Sequence, residues 1–485
     1  MSRKRVATIL LSSVLAAAIT LTGCGSNEDR LLDKKSPVPI TIWHYYNGAQ
    51  MQKFDELVVK FNETVGAEKG IVVEAYNKGS VSELNTKVLD AVNHKIAAEA
   101  VPDIFAAYAD TAYEINRRGL VADVGQYLTE EEKVEYFPAY LSEGRFENDH
   151  SIKLFPIAKS TEVLMLNYTD WNQFATATGA SEHNFSTWEG IAELAKQYYE
   201  WTDSLTPEAD DGKSFFGRDA MANYILVGSY QLGHELFEVN DGKVNINLDK
   251  KVMRRLWDNY YLPYISGYYK SIGRFRSDDV KTGDIIAFVG STSGVSFFPS
   301  EVTREDGSTY SIDSKVYPAP NFEGTPPMSV QQGAGMVVVK STEKKEYAAA
   351  TFLKWFTNKQ QNVDFSIGSG YLPVKKEANN LNVIMEAIHH LQEPISNTLQ
   401  EVLITGVDMT KSYTLYTGKA FKNGTAARNI LDEALHSKAE IDFAAAEVLI
   451  ESGIPRNDAI ARLYTDQSFD QWYDELRAKL KAIIR

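Results

Sequence analysis

The sequence predicts an α/β protein with two or more lobes, and three observations support this fold class. The chain has 485 residues, which is more than one hydrophobic core usually accommodates. Short apolar runs typical of strands alternate along the chain with segments whose apolar residues recur at helical spacing. The composition, 44% apolar and 24% charged, is that of a globular protein. Alternating strands and helices favour a parallel sheet that is covered by helices.

The first predicted unit is a strand, a loop and a helix within residues 40–65. Ile40 and Ile42 recur with the two-residue period of a strand. Asn47 is a good helix N-cap, and the apolar residues after it have helical spacing: Phe54, Leu57, Val58, Phe61 and Val65. Ligands of open α/β sheets bind at the carboxyl ends of strands, so the loop predicts one wall of a site for a flat, polar ligand. Its rings are Trp43, His44, Tyr45 and Tyr46.

The later elements continue the alternation. We expect strands at residues 71–73, 103–108, 244–248, 284–289, 316–320 and 336–339, and two β-rich runs at 152–157 and 163–168 that form a path between lobes. We expect helices at residues 80–100, 112–118, 220–237, 252–264 and 347–357, and a helix capped by Thr187. The rest of the chain is predicted to be helical, and its last helix has one apolar face formed by Trp472, Leu476, Leu480 and Ile483.

The N-terminus has the pattern of a secretory signal. Residues 2–5 are basic, residues 6–21 are apolar but too short to span a bilayer comfortably, and small residues follow. The run 21–24, Leu-Thr-Gly-Cys, resembles the bacterial lipobox, which implies that Cys24 is acylated and becomes the first mature residue. Cys24 is also the only cysteine, so no intrachain disulfide can form. We expect a signal peptide at 1–23 and a polar tether at 24–38.

Charge excludes one class of partner. Removal of the basic residues Arg3, Lys4 and Arg5 with the signal peptide would take the formal net charge from −15 to −18. Such a surface repels phosphate backbones, so we expect no nucleic-acid partner.

The order of segments resembles the extracellular solute-binding proteins of bacterial ABC importers, in particular the carbohydrate-type family 1 that includes maltodextrin-binding proteins. The resemblance covers nearly the whole chain after residue 39. It depends on the lipobox and on ITIWHYYNG with KFDELVVKFNE, VPDIFAAYAD, LFPIAKSTEVLMLNY, DIIAFVGSTSG and GAGMVVVKSTEKKEYAAATFLKWFTNKQQNVDFSIGSGYLPV. None of these is a catalytic motif.

The resemblance implies a two-lobe periplasmic-binding-protein-like fold of type II, with a mainly parallel sheet in each lobe and a hinged cleft between the lobes. Lobe 1 would comprise residues 39–157 plus 333–371, and lobe 2 residues 158–332 plus 372–485. Crossings are expected near residues 158–161, 329–332 and 372–377. It also implies a monomeric, lipid-anchored receptor outside the cytoplasm that delivers a sugar or oligosaccharide to a membrane permease, without catalysis, cofactor or metal.

The resemblance also assigns candidate ligand contacts, each with a structural alternative. At the end of the first strand, His44 and Tyr46 are favoured for the cleft, whereas alternation points Trp43 and Tyr45 towards the core. Asp110 could instead cap a helix, Glu162 could be a solvated hinge charge, and Ser291 and Thr292 could form a plain turn. Gln332 and Tyr371 lie near the crossings. The predicted ligand set is His44, Tyr45, Tyr46, Asp110, Glu162, Ser291, Thr292, Gln332 and Tyr371.

Two other functions stay open at this point. The same receptor could bind a polyol phosphate, for which Arg274 and Arg276 are candidate contacts. A different class is a surface glycan hydrolase or adhesive module, because Asp110 and Glu162 could in principle act as a carboxylate pair. Residues 290–294, Gly-Ser-Thr-Ser-Gly, have threonine at the centre and are therefore not a nucleophile elbow.

Overall fold

The protein is described by a computed structural model that covers residues 31–146, 150–240 and 242–484. The predicted signal peptide and Cys24 lie outside the described residues. Among the described helices, none combines the length and the apolar character needed to cross a bilayer.

The strands form two four-stranded sheets and three short two-stranded ladders. They are β1 Val38–His44, β2 Ile71–Asn77, β3 Ile104–Ala107, β4 Glu162–Asn167, β5 Phe216–Arg218, β6 Phe237–Asn240, β7 Lys243–Ile246, β8 Ala287–Ser291, β9 Glu301–Thr303, β10 Thr309–Ser311, β11 Ser314–Pro318, β12 Met328–Val330, β13 Gly335–Val338 and β14 Thr414–Tyr416.

The helices cover both sheets. They are α1 Gly48–Phe61, α2 Ala67–Lys69, α3 Val81–Val92, α4 Ala109–Asn116, α5 Glu130–Glu135, α6 Pro138–Ser142, α7 Tyr168–Thr178, α8 Trp188–Asp203, α9 Met221–Gln231, α10 Lys250–Ile265, α11 Arg276–Thr282, α12 Glu343–Phe356, α13 Lys359–Ser369, α14 Leu381–His389, α15 Asn397–Ser412, α16 Gly424–Glu451, α17 Arg456–Leu463 and α18 Asp466–Ile483. Thr187 caps α8 as predicted, because its side chain accepts the N–H of Gly190.

The first sheet has the strand order β13-β3-β1-β2. β1 pairs in parallel with β2 and β3, whereas β13 is antiparallel to β3. The α-helices α1, α12 and α13 pack against it, and their rings Phe54, Phe61, Phe352 and Phe365 are fully buried in the first hydrophobic core. This sheet and its helices have the α/β architecture that the alternating pattern predicts.

The second sheet has the order β11-β4-β8-β5, and only β5 and β8 are parallel. The prediction of a mainly parallel sheet is therefore wrong for this lobe. β4 comes directly from the connection to the first sheet, without a preceding helix that would return the chain in the same direction. All six residues of β4 are buried, with Leu164 and Leu166 in the second core and Val163 and Met165 in a third.

Three predicted elements differ from the structure. The helix predicted at 80–100 ends at Val92, because His94 and Ala97 have positive φ and the apolar periodicity stops there. The helix predicted at 220–237 ends at Gln231, before Gly233 with φ 84°. The run 152–157 forms one isolated bridge, from Phe155 to Met336, and not a strand.

Part of the predicted tether lies on the body of the protein. Leu31 and Leu32 pack against the first core. Gly70, with φ 75°, is closely approached by this segment, since a Cβ there would lie 2.4 Å from the carbonyl oxygen of Asp33. Residues 31–38 therefore do not behave as the free polar tether that was predicted.

Candidate ligand-binding cavity

A cavity of about 690 Å³ lies between elements of the two sheets. Four strands that have a parallel neighbour contribute wall residues at their carboxyl ends. These residues are Tyr45 after β1, Tyr108 after β3, Asp219 after β5 and Ser291 at the end of β8. Strand ends of this kind are where open α/β sheets bind ligands. Ser160 and Gln332, from the connecting segments, complete the wall.

Aromatic rings form much of the wall. Phe275 and Phe297 are each 51% exposed and Tyr108 is 38% exposed, which is unusual for rings inside a concave site. Tyr45 and Tyr371 lie opposite them on the side of the first sheet, and their hydroxyl oxygens are 3.2 Å apart. Burial raises the pKa of Tyr45 well above its ordinary value, and the neighbouring tyrosines raise it further. Both hydroxyls therefore remain protonated and can donate or accept hydrogen bonds.

At one end of the cavity, an element next to the first sheet contacts one that follows the second sheet. Gln50, in the first turn of α1, donates from Nε2 to the carbonyl oxygen of Ser293 at 2.7 Å. Ser293 belongs to a short 3₁₀ helix that follows β8. Tyr371 lies beside the same residue, and the hydrogen bonds that Tyr45 and Ser293 make with Tyr371 partly offset the burial that raises its pKa. This contact closes one end of the cavity.

Glu162, at the start of β4, lies on the cavity floor in a buried polar network. Its Oε2 pairs with Nη2 of Arg218 at 2.6 Å, and its Oε1 accepts a hydrogen bond from Asn223 at 2.8 Å. Asn223 also donates to Oε1 of Gln332 at 3.1 Å and accepts from Arg428 at 2.8 Å. Glu162 is 4% exposed, so it is not the solvated hinge charge that was the alternative to a ligand contact. Both carboxylate oxygens of Glu162 are thus engaged by other side chains.

The segment before α11 brings a cation to the cavity. Asp279 accepts the N–H groups of Ile272 and Gly273 at 3.2 and 2.7 Å and pairs with Arg276 at 2.6 Å. This fixes residues 272–276 and presents Arg274 and Phe275 to the cavity. Within the described part of the chain, no ion pair holds the exposed Arg274 guanidinium.

Arg276 serves the scaffold and does not line the cavity. It is 5% exposed and also approaches Asp219, with Nε 3.6 Å from Oδ1. Burial raises the pKa of Asp219 to about 6, although the charge of Arg276 lowers it. The two arginines of the polyol-phosphate alternative thus lie in different places, and only Arg274 is accessible from the cavity.

The structure places the aromatic loop after β1 differently from the prediction. His44 and Tyr46 are each 1% exposed and pack with Phe54, whereas Tyr45 lies on the cavity wall. His44 still belongs to β1 and is buried because both faces of the strand are covered at this end, whereas the alternation does not extend past the strand to Tyr45 and Tyr46. His44 Nδ1 accepts the N–H of Tyr46 at 3.2 Å, and burial lowers the pKa of the ring to about 4. Both residues support the loop from inside the core.

Asp110 lies outside this cavity and lines a smaller adjacent chamber of about 220 Å³ with Glu143, Arg428 and Asp432. Its Oδ1 accepts the N–H of Phe421 at 3.4 Å. Burial raises its pKa to about 6, while Arg428 and the Phe421 N–H lower it and Glu114 and Glu143 raise it. Asp110 therefore contacts the segment that precedes α16, and its side chain does not make the helix-capping hydrogen bond that was its alternative role.

The two residues predicted after β8 have different surroundings. Ser291 lines the cavity, and its Oγ lies 2.9 Å from Oγ of Ser293. Thr292 is fully buried, does not line the cavity, and its N–H donates to the carbonyl oxygen of Thr161 at 2.9 Å. Of the predicted set, Tyr45, Glu162, Ser291, Gln332 and Tyr371 are brought together in one cavity.

Several wall residues were not singled out from the sequence. They are Asn47, Gln50, Tyr108, Asp219, Phe275, Ser277, Phe288, Ser293 and Phe297. Tyr108 and Asp219 directly follow strands, which is a signal that could have identified them. Phe275 and Phe297 come from short irregular segments, and no periodicity marks them.

Comparison with known proteins gives a consistent result. A sequence profile of bacterial extracellular solute-binding proteins matches residues 56–391. A search of curated protein sequences finds no match.

Solved structures share the fold at low sequence identity. The cyclic alpha-maltosyl-1,6-maltose binding protein of Arthrobacter globiformis is 16% identical with a TM-score of 0.64, covering 93% of this chain and 99% of its own. UgpB of Mycobacterium tuberculosis, solved in complex with glycerophosphocholine, is 18% identical with a TM-score of 0.63, covering 93% and 100%. The maltotriose binding protein of Thermus thermophilus is 15% identical with a TM-score of 0.58, covering 92% and 100%. These structures confirm the two-lobe solute-binding fold, and since the profile spans more than half of the chain, the protein belongs to the bacterial extracellular solute-binding proteins.

Proposed function

We propose that this protein is the receptor of an ABC importer, which captures a sugar or oligosaccharide in the 690 Å³ cavity and delivers it to a membrane permease. One observation carries the proposal: exposed aromatic rings and polar side chains from elements of both sheets face the same cavity. Carbohydrate-binding proteins of the same fold, such as those of Arthrobacter globiformis and Thermus thermophilus, support it.

The wall has the chemistry that a sugar requires. Sugars present apolar C–H faces, which pack on rings such as Phe275 and Phe297, and hydroxyl groups around their edge. Asn47, Ser291 and Gln332 provide both hydrogen-bond donors and acceptors for the sugar hydroxyl groups. Glu162 adds a carboxylate that is already fixed by Arg218, so a hydrogen bond to it needs little reorganisation.

Capture would proceed by closure of two lobes with the boundaries given above. Separate hydrophobic cores support this division, one built from residues 38–158 and 334–374 and the other mainly from 164–330 and 416–480. Between them, the backbone of Ser160 exchanges hydrogen bonds with Gln332, and Lys159 does so with Leu372. A few paired extended segments of this kind can act as a hinge.

The direct test is isothermal titration calorimetry with mono- and oligosaccharides, polyols and polyol phosphates. We expect at least one carbohydrate to bind, and Phe275→Ala to weaken its binding about fivefold to tenfold, since an aromatic contact contributes on the order of 1 kcal/mol. Tyr76→Ala is the matched control, because Tyr76 is 44% exposed but lies outside the cavity. Failure of the whole panel to bind would contradict the proposal.

A second candidate ligand is a polyol phosphate, and Arg274 is the observation that favours it. This accessible guanidinium is suited to a phosphate, and UgpB of the same fold binds glycerophosphocholine. If such a ligand is the natural one, Arg274→Gln lowers its affinity at least tenfold and removes most of its salt dependence, as titrations at two ionic strengths would show. If a neutral sugar is the ligand, the same substitution leaves its affinity within about twofold.

We also propose that the receptor is a monomer tied to the outer face of the membrane by lipid on Cys24. The lipobox-like run before Cys24 supports this. Membrane fractionation of cells that express the wild type and Cys24→Ser tests it: the wild type should remain with membranes and the variant should be released.

A further inference from the structure

The longest helix, α16, begins without a cap of its own. Asn423, which precedes it, has φ 65°, a left-handed conformation in which its side chain makes no capping hydrogen bond. The side-chain amide of Asn423 instead donates from Nδ2 to the carbonyl oxygen of Ile483 at 2.7 Å. The first turn of α16 contains no acidic residue. The positive dipole end of this helix is therefore not balanced by a charge within the first turn of α16.

Two carboxylates of α4, which belongs to the first core, lie at this end of α16 and bind the backbone just before it. Asp110 and Glu114 are four residues apart and thus lie on one face of α4. Asp110 Oδ1 accepts the N–H of Phe421, and Glu114 Oε1 accepts the N–H of Asn423 at 3.1 Å. Both carboxylates thus engage the backbone that leads into α16.

The contact joins the two cores and is sterically close. Ala112 and Ile115 anchor α4 in the first core, whereas Phe421 and Ala427 are buried in the second. Gly424, the first residue of α16, allows the approach, because a Cβ there would lie 2.1 Å from Oδ1 of Asp110. The contact uses elements of both sides other than those that form the Gln50–Ser293 contact.

We propose that Asp110 and Glu114 form an interlobe cap, in which two carboxylates of the first lobe bind the backbone just before the main helix of the second lobe and hold the cleft closed. Opening the lobes breaks these two hydrogen bonds and exposes the N–H groups of Phe421 and Asn423. Asp110 is then a closure residue and not a ligand contact. This inference goes beyond the proposed function, because it holds whatever solute the cavity binds.

Hydrogen–deuterium exchange of the full chain without ligand tests the cap. We expect Asp110→Ala and Glu114→Ala each to accelerate exchange in residues 419–428 about fivefold, because each removes one hydrogen bond to a backbone N–H of this segment. Thr129→Ala is the matched control: Thr129 caps α5 in the first lobe through the N–H of Glu132 and does not contact α16. Small-angle X-ray scattering should show a larger radius of gyration for the two α4 variants only.

Milder variants keep the test decisive if an alanine variant folds poorly. Asp110→Asn and Glu114→Gln retain an acceptor oxygen but lose the charge, so they should accelerate the same amides by a smaller factor. Unchanged exchange in residues 419–428 of folded variants, or equal acceleration in Thr129→Ala, would overturn the cap. Loss of solute binding in Asp110→Asn with unchanged exchange would also overturn it, because that result assigns Asp110 to the ligand.

Discussion

Protonation of His44 should destabilise the protein in a pH range that the structure fixes. The ring is 1% exposed at the end of β1, and burial lowers its pKa from 6.5 to about 4. The unfolded chain therefore takes up this proton near pH 6.5, whereas the folded protein resists it until about pH 4. Stability from this group is fully present above pH 6.5 and is lost as the pH falls towards 4.

The size of the effect follows from the two pKa values. The difference between the two pKa values of His44 changes the free energy of unfolding by about 3 kcal/mol over the whole pH range and by about 2 kcal/mol between pH 8 and pH 5. Asp110 and Asp219 act in the opposite direction, because folding raises their pKa values to about 6. The stability that these two groups contribute at low pH is lost as the pH rises through that value. A variant that removes only the histidine separates these effects.

Urea unfolding of the wild type and His44→Asn at pH 8 and pH 5 measures the difference. Asparagine keeps an acceptor for the Tyr46 N–H, so its packing defect should be the same at both pH values. Between pH 8 and pH 5, the free energy of unfolding of the wild type should fall by about 2 kcal/mol more than that of His44→Asn. His390→Asn, at an exposed histidine, is the control and should follow the wild type. Equal pH dependence in the wild type and His44→Asn would refute the reasoning.

Two further predictions concern packing and charge. Gly424→Ala should lower the free energy of unfolding by about 1–3 kcal/mol, because the new Cβ collides with Asp110; a urea titration with no change would contradict the close approach. Glu162→Ala should cost about 3–5 kcal/mol, since it leaves the buried Arg218 charge without its partner, whereas the double change Glu162→Met with Arg218→Met should recover most of this loss. Thermal unfolding of the single and double variants distinguishes the two outcomes.

The sequence predicted the parts of the fold that are set by local burial. β3, β8 and β13 are buried on both faces, so they read as continuous apolar runs, and α8 has both a cap and an apolar stripe. Strand direction in the second sheet was not predictable in this way. β4 has the same composition whether it runs parallel or antiparallel to β8, and its direction is set by where the chain enters the lobe.

The cavity was predicted at the correct loops but not at the correct side chains. The prediction treated β1 as buried on one face only, which misplaced His44, and extended the alternation two residues past the strand, which exchanged Tyr45 with Tyr46. Phe275 reaches the wall because Asp279 folds the preceding segment, a tertiary effect with no periodic signature. The roles of these residues in ligand binding stay predictions until a ligand is seen.

A crystal structure with the tightest-binding carbohydrate of the calorimetric panel would show whether the cavity is the binding site. We expect electron density for the ligand inside the cavity, packed against Phe275 and within hydrogen-bond distance of Tyr45 or Tyr371. A ligand bound on an outer surface, with this cavity filled only by water, would contradict it.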